Sequence, residues 1–235
     1  MDKQMNSRYT YTDEWECPHC RGKFSVTRFR NTRLRAVKRD ADHHQWYADD
    51  QHPVRFYVVI CPHCGYAAGE NHFLAENEFN AKIRIENGDI PLTEDINTDR
   101  SDDSRVAACF GHVIRQMMIS KVPASILAGL SHRGAWFCRE IGDQEQESVM
   151  LQLAYKEYET AFEREPLPIG PMTRLGLSYL LGEIARRLED YQHASFWFGE
   201  AARLREDQKK EPLIAKLLTD QHQLMREEYR KKSKE

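Results

Sequence analysis

The sequence has no long hydrophobic run. None of its apolar stretches approaches the roughly 18 residues that a membrane-spanning helix requires. Residues 1–16 are polar and contain no hydrophobic segment of the kind found in a secretory signal. Six cysteines in a chain without such a signal indicate a reducing compartment, where paired thiols bind metal ions rather than form disulfides. We therefore expect a cytoplasmic protein that does not enter a membrane.

The common catalytic signatures are missing too. The chain has no glycine-rich phosphate loop, no His-Glu-x-x-His motif and no nucleophile elbow. Its 34 lysines and arginines are balanced by 37 acidic residues, so the net charge of -3 gives no overall attraction to nucleic acids. These absences favour a binding or structural role over an enzymatic one.

The sequence does contain a repeated Cys-Pro-His-Cys motif, at residues 17–20 and 61–64. Two thiols separated by two residues point from one tight turn at a single ion, and two such turns complete the tetrahedral site that structural Zn²⁺ prefers. A redox dithiol usually occurs once, at a helix N-terminus, whereas the spacing leaves an iron–sulfur cluster open as an alternative. We predict one structural Zn²⁺ on Cys17, Cys20, Cys61 and Cys64.

Further polar residues lie within and between these motifs. The two histidines inside the turns are expected to point away from the ion; the alternatives are that each donates a hydrogen bond to a thiolate or replaces a cysteine as a ligand. An Asp-x-Asp-His-His cluster lies between the motifs; we favour a polar loop that packs on the metal domain, with a second metal site as the alternative. These candidate residues are His19, His63, Asp40, Asp42, His43 and His44.

Patterns of hydrophobic residues predict an α+β chain. Phe24, Val26 and Phe29 alternate with polar residues, and residues 55–60 are aromatic and β-branched, so a strand lies beside each motif, as in a zinc ribbon. A helix is predicted at 71–87, and stripes of apolar residues predict only helices after residue 105.

An acidic stretch marks the best domain boundary. It carries glycine, proline and a strong excess of acidic residues, which is typical of a linker or long loop. The predicted division is a zinc-ribbon-like domain with its following helix at 1–88, an acidic linker at 89–104, and a helical domain at 105–235. Folding of the first domain is expected to depend on metal.

The helical region contains a possible repeat. The helix pair at 173–206 resembles a tetratricopeptide repeat, and a weaker copy lies forty residues upstream. Small and aromatic residues stand at the family's offsets, at Gly182, Ala194, Phe198 and Ala201 and, in the weaker copy, at Ala154, Tyr158 and Ala161. Such an array would offer a concave peptide groove, and the alternative is a set of helical hairpins without one. The predicted groove residues are Tyr155, Tyr158, Tyr179 and Trp197.

Residues 21–39 form a basic stretch with eight lysines or arginines and no acidic residue. Basic side chains beside aromatic ones can follow a phosphate backbone and stack on bases. Alternatively, these residues pair with the acidic stretch at 86–104 or are simply solvated. The candidate nucleic-acid contacts are Arg28, Arg30, Arg33, Arg35, Lys38 and Arg39.

The N-terminal ninety residues resemble one known family. The resemblance is carried by the Cys-Pro-His-Cys turns, the Arg-Asp-Ala-Asp run at 39–42 and the Cys-Gly-Tyr-Ala-Ala run at 64–68. The chain is similar here to the bacterial family called domain of unknown function 2225. That resemblance implies a metal-binding N-terminal fold with a tetratricopeptide-like helical tail, metal ligation by the four cysteines, and no established activity.

Three functional hypotheses follow, in order of preference. The first is an interaction module that binds a protein or peptide through its helical array. The second is a nucleic-acid-binding or transcription-associated zinc protein that uses the basic stretch. The third is a metal-dependent enzyme that uses the Asp-x-Asp-His-His cluster, and it requires those four side chains to converge beside an open metal position.

Overall fold

The N-terminal part is built from short antiparallel strand pairs. The computed structural model describes residues 8–75, 83–85 and 90–233. Strand β1 (Thr10–Glu16) pairs with β2 (Lys23–Phe29), β3 (Ala36–Arg39) with β4 (Gln45–Tyr47), and β5 (Val58–Ile60) with β6 (Ala67–Gly69). The first and third pairs are each joined by a Cys-Pro-His-Cys turn. This confirms the strands predicted beside the motifs.

Short helical segments complete this part of the chain. Two 3-10 turns lie at Asn31–Arg33 and Pro53–Phe56, and helix α1 covers Glu70–Phe73. The helix predicted at 71–87 is wrong for the described residues beyond 73, since 74–75 and 83–85 are not helical; its remainder lies outside the described residues. The stretch between the two motifs contains a hairpin, β3–β4, that the sequence pattern does not predict.

The C-terminal part is helical, as predicted. Polar side chains cap several helices: Asp102 accepts hydrogen bonds from the backbone N–H groups of Ser104 and Arg105, and Asp190 accepts one from that of His193. In the described ranges, none of the helices is long and apolar enough to cross a membrane. The helices are α2 (Asp103–Ser120), α3 (Ala124–Ile141), α4 (Gln144–Arg164), α5 (Arg174–Arg187), α6 (Tyr191–Arg203), α7 (Arg205–Lys210) and α8 (Pro212–Lys232).

One hydrophobic core joins the pairs β1–β2 and β5–β6 to helices α2 and α3. It includes Ile60 from β5, Phe73 from α1, Phe110 from α2 and Phe137 from α3, all of them buried. The predicted division into two domains stays a prediction. Among the described residues, this core includes side chains from both sides of the predicted linker at 89–104.

The segment predicted as a linker packs on strand β5. The Asn97 side chain accepts a hydrogen bond from the backbone N–H of Ile60 at 3.0 Å and donates one to the Ile60 carbonyl at 2.7 Å. The buried Arg100 guanidinium donates to the Val58 carbonyl at 2.8 Å. These bonds supply partners for backbone N–H and C=O groups of the short strand β5. Buried backbone polar groups require such partners.

Helices α5 and α6 form a close antiparallel pair. A Cβ added at Gly182 would lie 2.5 Å from the ring of Phe198, so only glycine lets that ring approach the α5 backbone. This contact explains the Gly–Phe spacing that resembles a tetratricopeptide repeat. The repeat itself stays a prediction.

Candidate metal centre and the buried acidic loop

The two cysteine turns have the same backbone geometry. In the first, the Cys17 N–H donates to Gly22 O and the Arg21 N–H donates to Cys17 O, each at 2.9 Å. In the second, the Cys61 N–H donates to Tyr66 O and the Gly65 N–H to Cys61 O, at 2.8 and 2.9 Å. The fifth residue of each turn has a positive φ, 62° at Arg21 and 75° at Gly65.

These turns bring the four sulfur atoms together. The Cys17 and Cys64 sulfurs are 3.7 Å apart, those of Cys20 and Cys61 are 3.6 Å apart, and all four lie within 4.8 Å of one another. Zn–S bonds of about 2.3 Å in a tetrahedron place sulfurs about 3.8 Å apart. The group could therefore hold one tetrahedral metal ion, as the cysteine spacing predicted.

Electrostatics of the bare thiols also favour a cation. A hydrogen bond from the Cys61 thiol lowers the pKa of Cys17 to about 5, and the same bond, followed by burial, raises the pKa of Cys61. Burial raises the pKa of Cys64 to about 12. Because a charge on one sulfur opposes charges on its neighbours, only a cation allows all four thiols to ionise together.

The histidines inside the turns support the opposite turn rather than bind at the centre. The Nε2 atom of His63 lies 2.9 Å from the Lys23 carbonyl, and its ring occupies the space where a Cβ at Gly22 would sit. His19 stacks on the buried ring of Tyr66. Among the described residues, the metal-compatible group contains the four cysteines and neither histidine.

The acidic loop packs on the helices, so the prediction that it packs on the metal domain is wrong. The loop joins β3 to β4 and lies against α3 and α5, where Asp42 is fully buried. The hydroxyl of Tyr179 in α5 donates to the Ala41 carbonyl at 2.8 Å. Sequence spacing could not reveal this, because the groups that bind the loop lie about ninety residues and more further along the chain.

A ring of donors surrounds the Asp42 carboxylate. Arg139 of α3 donates from Nη2 at 2.7 Å and from Nη1 at 3.1 Å. Burial alone would raise the pKa of Asp42, but hydrogen bonds with His132 and Arg139 hold it well below its usual range. The further groups within 3.6 Å are Trp136 Nε1 at 3.3 Å, His132 Nε2 and the His44 backbone N–H at 3.4 Å each, and Arg187 Nη2 at 3.6 Å.

The four predicted cluster residues do not converge on one point. Asp40 contacts Arg139 and Lys38, and Asp42 contacts the arginines above. His44 Nε2 lies 2.9 Å from Glu140, and His43 lies against the ring of Tyr179. In the described part of the chain, the metal-compatible group is the cysteine cluster alone. The geometry therefore lacks the shared metal position that the enzyme hypothesis requires.

Sequence reasoning missed the residues that hold this loop. His132, Trp136, Arg139 and Glu140 recur at helical spacing on α3, so they lie on one face of a helix whose other residues are largely apolar. That polar stripe was a usable signal. It identifies a buried polar surface, although it does not say which segment covers it.

The basic stretch is mostly exposed. The Arg28 side chain is already paired within the protein, because its Nε donates to Glu70 at 2.7 Å. Arg30, Arg33, Arg35 and Arg39 are exposed and have no ion pair with a described residue. The acidic residues near 95–103 pair instead with Arg55 and Arg105. Arg30 and Arg33 line a shallow cleft of about 470 Å³ with Arg8 and Thr32.

The prediction that four aromatic residues line an exposed groove is wrong for three of them. Tyr158, Tyr179 and Trp197 are buried, and Tyr155 is half-buried. These rings pack between helices, where their large apolar area stabilises the array. The aromatic ring that does face solvent on this side is Phe196, which the sequence prediction did not include.

A match to a family of proteins covers nearly the whole chain. The family model described as an uncharacterised protein conserved in bacteria (DUF2225) matches residues 10–225. No curated protein and no solved structure matches the chain.

Proposed function

The chain belongs to this DUF2225 family of uncharacterised bacterial proteins, and we propose from its own geometry that it is a zinc-stabilised interaction protein. One Zn²⁺ on the four cysteines would fix the strand pairs, and the helices would present a surface to a basic partner peptide. The observation that carries the interaction role is the exposed ring of Phe196, which lies with the aromatic rings of Phe162 and Trp197 in a cleft between helices α4 and α6 that carboxylates line.

The sulfur geometry supports a single mononuclear ion, which we propose is zinc. Sulfurs that lie within 4.8 Å of one another leave room for one ion and not for a polynuclear iron–sulfur cluster. When bound, the ion would supply a cross-link between the β1–β2 turn and the β5–β6 turn. A complete set of four protein ligands, without an open position, is typical of structural rather than catalytic zinc.

The aromatic cluster has the features of an interaction surface. Phe196 is 56% exposed, and its ring lies 5.1 Å from that of Trp197, which in turn lies 5.0 Å from that of Phe162. A large exposed aromatic residue beside two others in a cleft of about 490 Å³ is a candidate binding hot spot.

Charge around this cleft favours a basic partner. Glu159, Glu163 and Glu200 line it, and a cation already stacks beside it, since the Arg174 guanidinium lies 4.8 Å from the Phe162 ring centre. A lysine or arginine of a partner could make the same kind of cation–π contact and pair with a glutamate.

A labelled peptide tests this proposal. We expect a fluorescein-labelled peptide of alternating lysine and leucine to bind the full-length protein, and Phe196→Ser to weaken binding by about ten-fold or more, as truncated hot spots do. Fluorescence anisotropy measures both affinities. Leu213→Ser is the matched control, because Leu213 is 60% exposed and lies on α8, outside the cleft. Equal affinity of Phe196→Ser and the unchanged protein would reject this surface as the interface.

A second candidate function is binding of single-stranded nucleic acid. It is favoured by the cleft lined by Arg30 and Arg33 and by the stacking of Arg30 over the Tyr11 ring at 4.9 Å. We expect the double change Arg30→Gln and Arg33→Gln to weaken binding to a labelled oligonucleotide, and to reduce the slope of affinity against salt by about 1 to 2. Arg164→Gln, in α4 and outside the cleft, is the control. Affinity that is independent of salt would count against phosphate contacts.

A further inference from the structure

The hairpin β3–β4 is held by its tip. Its two strands form a sheet of their own, all four residues of β3 are exposed, and β4 is half-buried. An isolated two-stranded hairpin is marginally stable in water. The order of this hairpin therefore depends on what its tip, defined as Asp40–His44, contacts.

The tip occupies a groove between helices α3 and α5. Tyr179 and Arg187 of α5 form one wall, and His132, Trp136 and Arg139 of α3 form the other. Asp42 enters this α3–α5 groove and is fully buried there. The tip is held mainly by side-chain donors around the Asp42 carboxylate, and also by Arg139 donating to Asp40 at 3.0 Å and by His44 Nε2 at 2.9 Å from Glu140. Donors that converge on a carboxylate are how a groove recognises a short acidic peptide.

The groove stays charge-paired without the tip. The Arg139 Nε donates to Glu147 at 2.7 Å, and the Arg187 Nε donates to Glu183 at 2.9 Å. Both glutamates belong to the helices. Removing Asp42 would therefore not leave either guanidinium without a carboxylate, which is the main cost of breaking a buried ion pair.

The tip is also imperfectly accommodated. The Nδ1 atom of His43 is buried and has no hydrogen-bond partner among the described residues; that of His44 also lacks a hydrogen bond there and lies 3.7 Å from Asp40 Oδ2. His43 has a φ of 73°, a backbone conformation that is costly for a residue with a side chain. Unpaired buried atoms and a left-handed backbone both lower the cost of releasing the tip.

We propose that the α3–α5 groove is a recognition site for a partner's aspartate-containing peptide, and that the chain's own tip fills this site until such a peptide displaces it. The groove shares no lining residue with the Phe196 cleft, so this inference is independent of the proposed interaction with a basic peptide. Release of the tip also frees the hairpin, since its strands have no other sheet partner in the described part of the chain.

A peptide with the hairpin's own sequence tests the groove. The probe is a fluorescein-labelled peptide of residues 36–47, added to full-length protein carrying Asp42→Asn, which keeps the shape of the tip but removes its charge. We expect the variant to bind the probe at least about ten-fold more tightly than the unchanged protein does, because a tethered tip competes at an effective concentration near the millimolar range.

Two controls make the experiment specific. A probe with asparagine in place of aspartate at position 42 should not bind, and neither should the double variant Asp42→Asn with Arg139→Gln. A folded Asp42→Asn protein that fails to bind the probe would overturn the proposal. A dimer of the unchanged protein that Asp42→Asn abolishes would overturn it too, because copies of this chain would then be exchanging hairpins.

Hydrogen exchange on the unchanged protein decides the question if Asp42→Asn does not fold. The amides at Asp40, His43 and Ala48 close the hairpin through bonds to His44 O, Asp40 O and Arg35 O. If the tip is released locally, these amides exchange at least about ten-fold faster than the central amides of α3. Equal rates would mean that the tip leaves the groove only on global unfolding. The contact would then be a permanent part of the fold, and the proposal would be overturned.

Discussion

Each metal-compatible cysteine is fixed by the backbone of its turn. Cys17 and Cys61 are buried and hydrogen-bonded through their own N–H groups, whereas Cys20 is exposed. The position after each motif requires a positive φ, and Gly65 meets that requirement without the cost that a side chain brings at Arg21. The sulfurs are therefore held near one point by local structure, and the ion would join the two turns.

The cysteines give a prediction at the scale of single residues. Cys61→Ser should lower bound zinc from one ion per chain to none, measured by elemental analysis. The melting midpoint should fall by about 10 °C, because the energy of ion binding is also energy of folding. Cys109→Ala is the matched control: Cys109 is a buried thiol of α2 outside the cluster, and its loss should cost only about 1 kcal/mol and no zinc. Zinc retained by Cys61→Ser would refute the assignment.

At the scale of elements, local patterns were reliable where burial follows a simple period. Alternation predicted β2, because a strand buried on one face repeats every two residues. The aromatic and β-branched run at 55–60 predicted β5, which is buried at every position, although residues 55 and 56 belong to a 3-10 turn. The Gly182 and Phe198 spacing indicated a close helix pair, which the structure has between α5 and α6.

Other elements could not be predicted in this way. Strand β3 is exposed throughout, so its sequence lacks any apolar alternation. Its position is decided by Asp42, whose partners lie on α3 and α5. The aromatic residues of the helical array show the same limit: periodicity identifies a helix face that carries Tyr158 and Tyr179, but the neighbouring elements decide that this face is covered.

At the scale of the whole molecule, ion pairs connect distant segments. Glu140 of α3 lies between His44 at 2.9 Å and His52 at 2.8 Å, and Arg186 of α5 binds Glu228 of α8 at 2.9 Å. The β3–β4 region, the central helices and the last helix are thus connected by ion pairs that are buried at Glu140 and partly exposed at Glu228. Such pairs are costly to break one partner at a time, so stability depends on pH.

The direction of that dependence follows from the histidines. Hydrogen bonding to Glu140 raises the pKa of His52, so its contribution is complete below its unfolded pKa and is lost as pH rises through the folded value. Burial lowers the pKa of His43 to about 4 and also lowers that of His132. Both are neutral when folded and gain protons when unfolded, so the folded state loses stability as pH falls below about 6.5.

Replacing His43 tests this dependence. In the unchanged protein, His43 should account for a loss of about 2 kcal/mol in the free energy of unfolding between pH 7 and pH 5. His43→Gln should remove that part of the loss, as measured by urea denaturation with bound zinc monitored at each pH. His193→Gln is the control, since His193 is exposed on α6. An unchanged pH dependence in His43→Gln would show that this residue is not buried as a neutral group.

The sequence by itself determined the features that short stretches of chain control. Two identical turns with thiols two residues apart, a strand beside each turn and a series of amphipathic helices follow from local spacing and periodicity. Only the tertiary structure decided what the acidic loop binds, which aromatic residues face solvent, and that one core joins β1–β2 and β5–β6 to α2 and α3. These features depend on which distant residues share the interior, because burial and charge pairing are set by neighbours in space rather than in sequence.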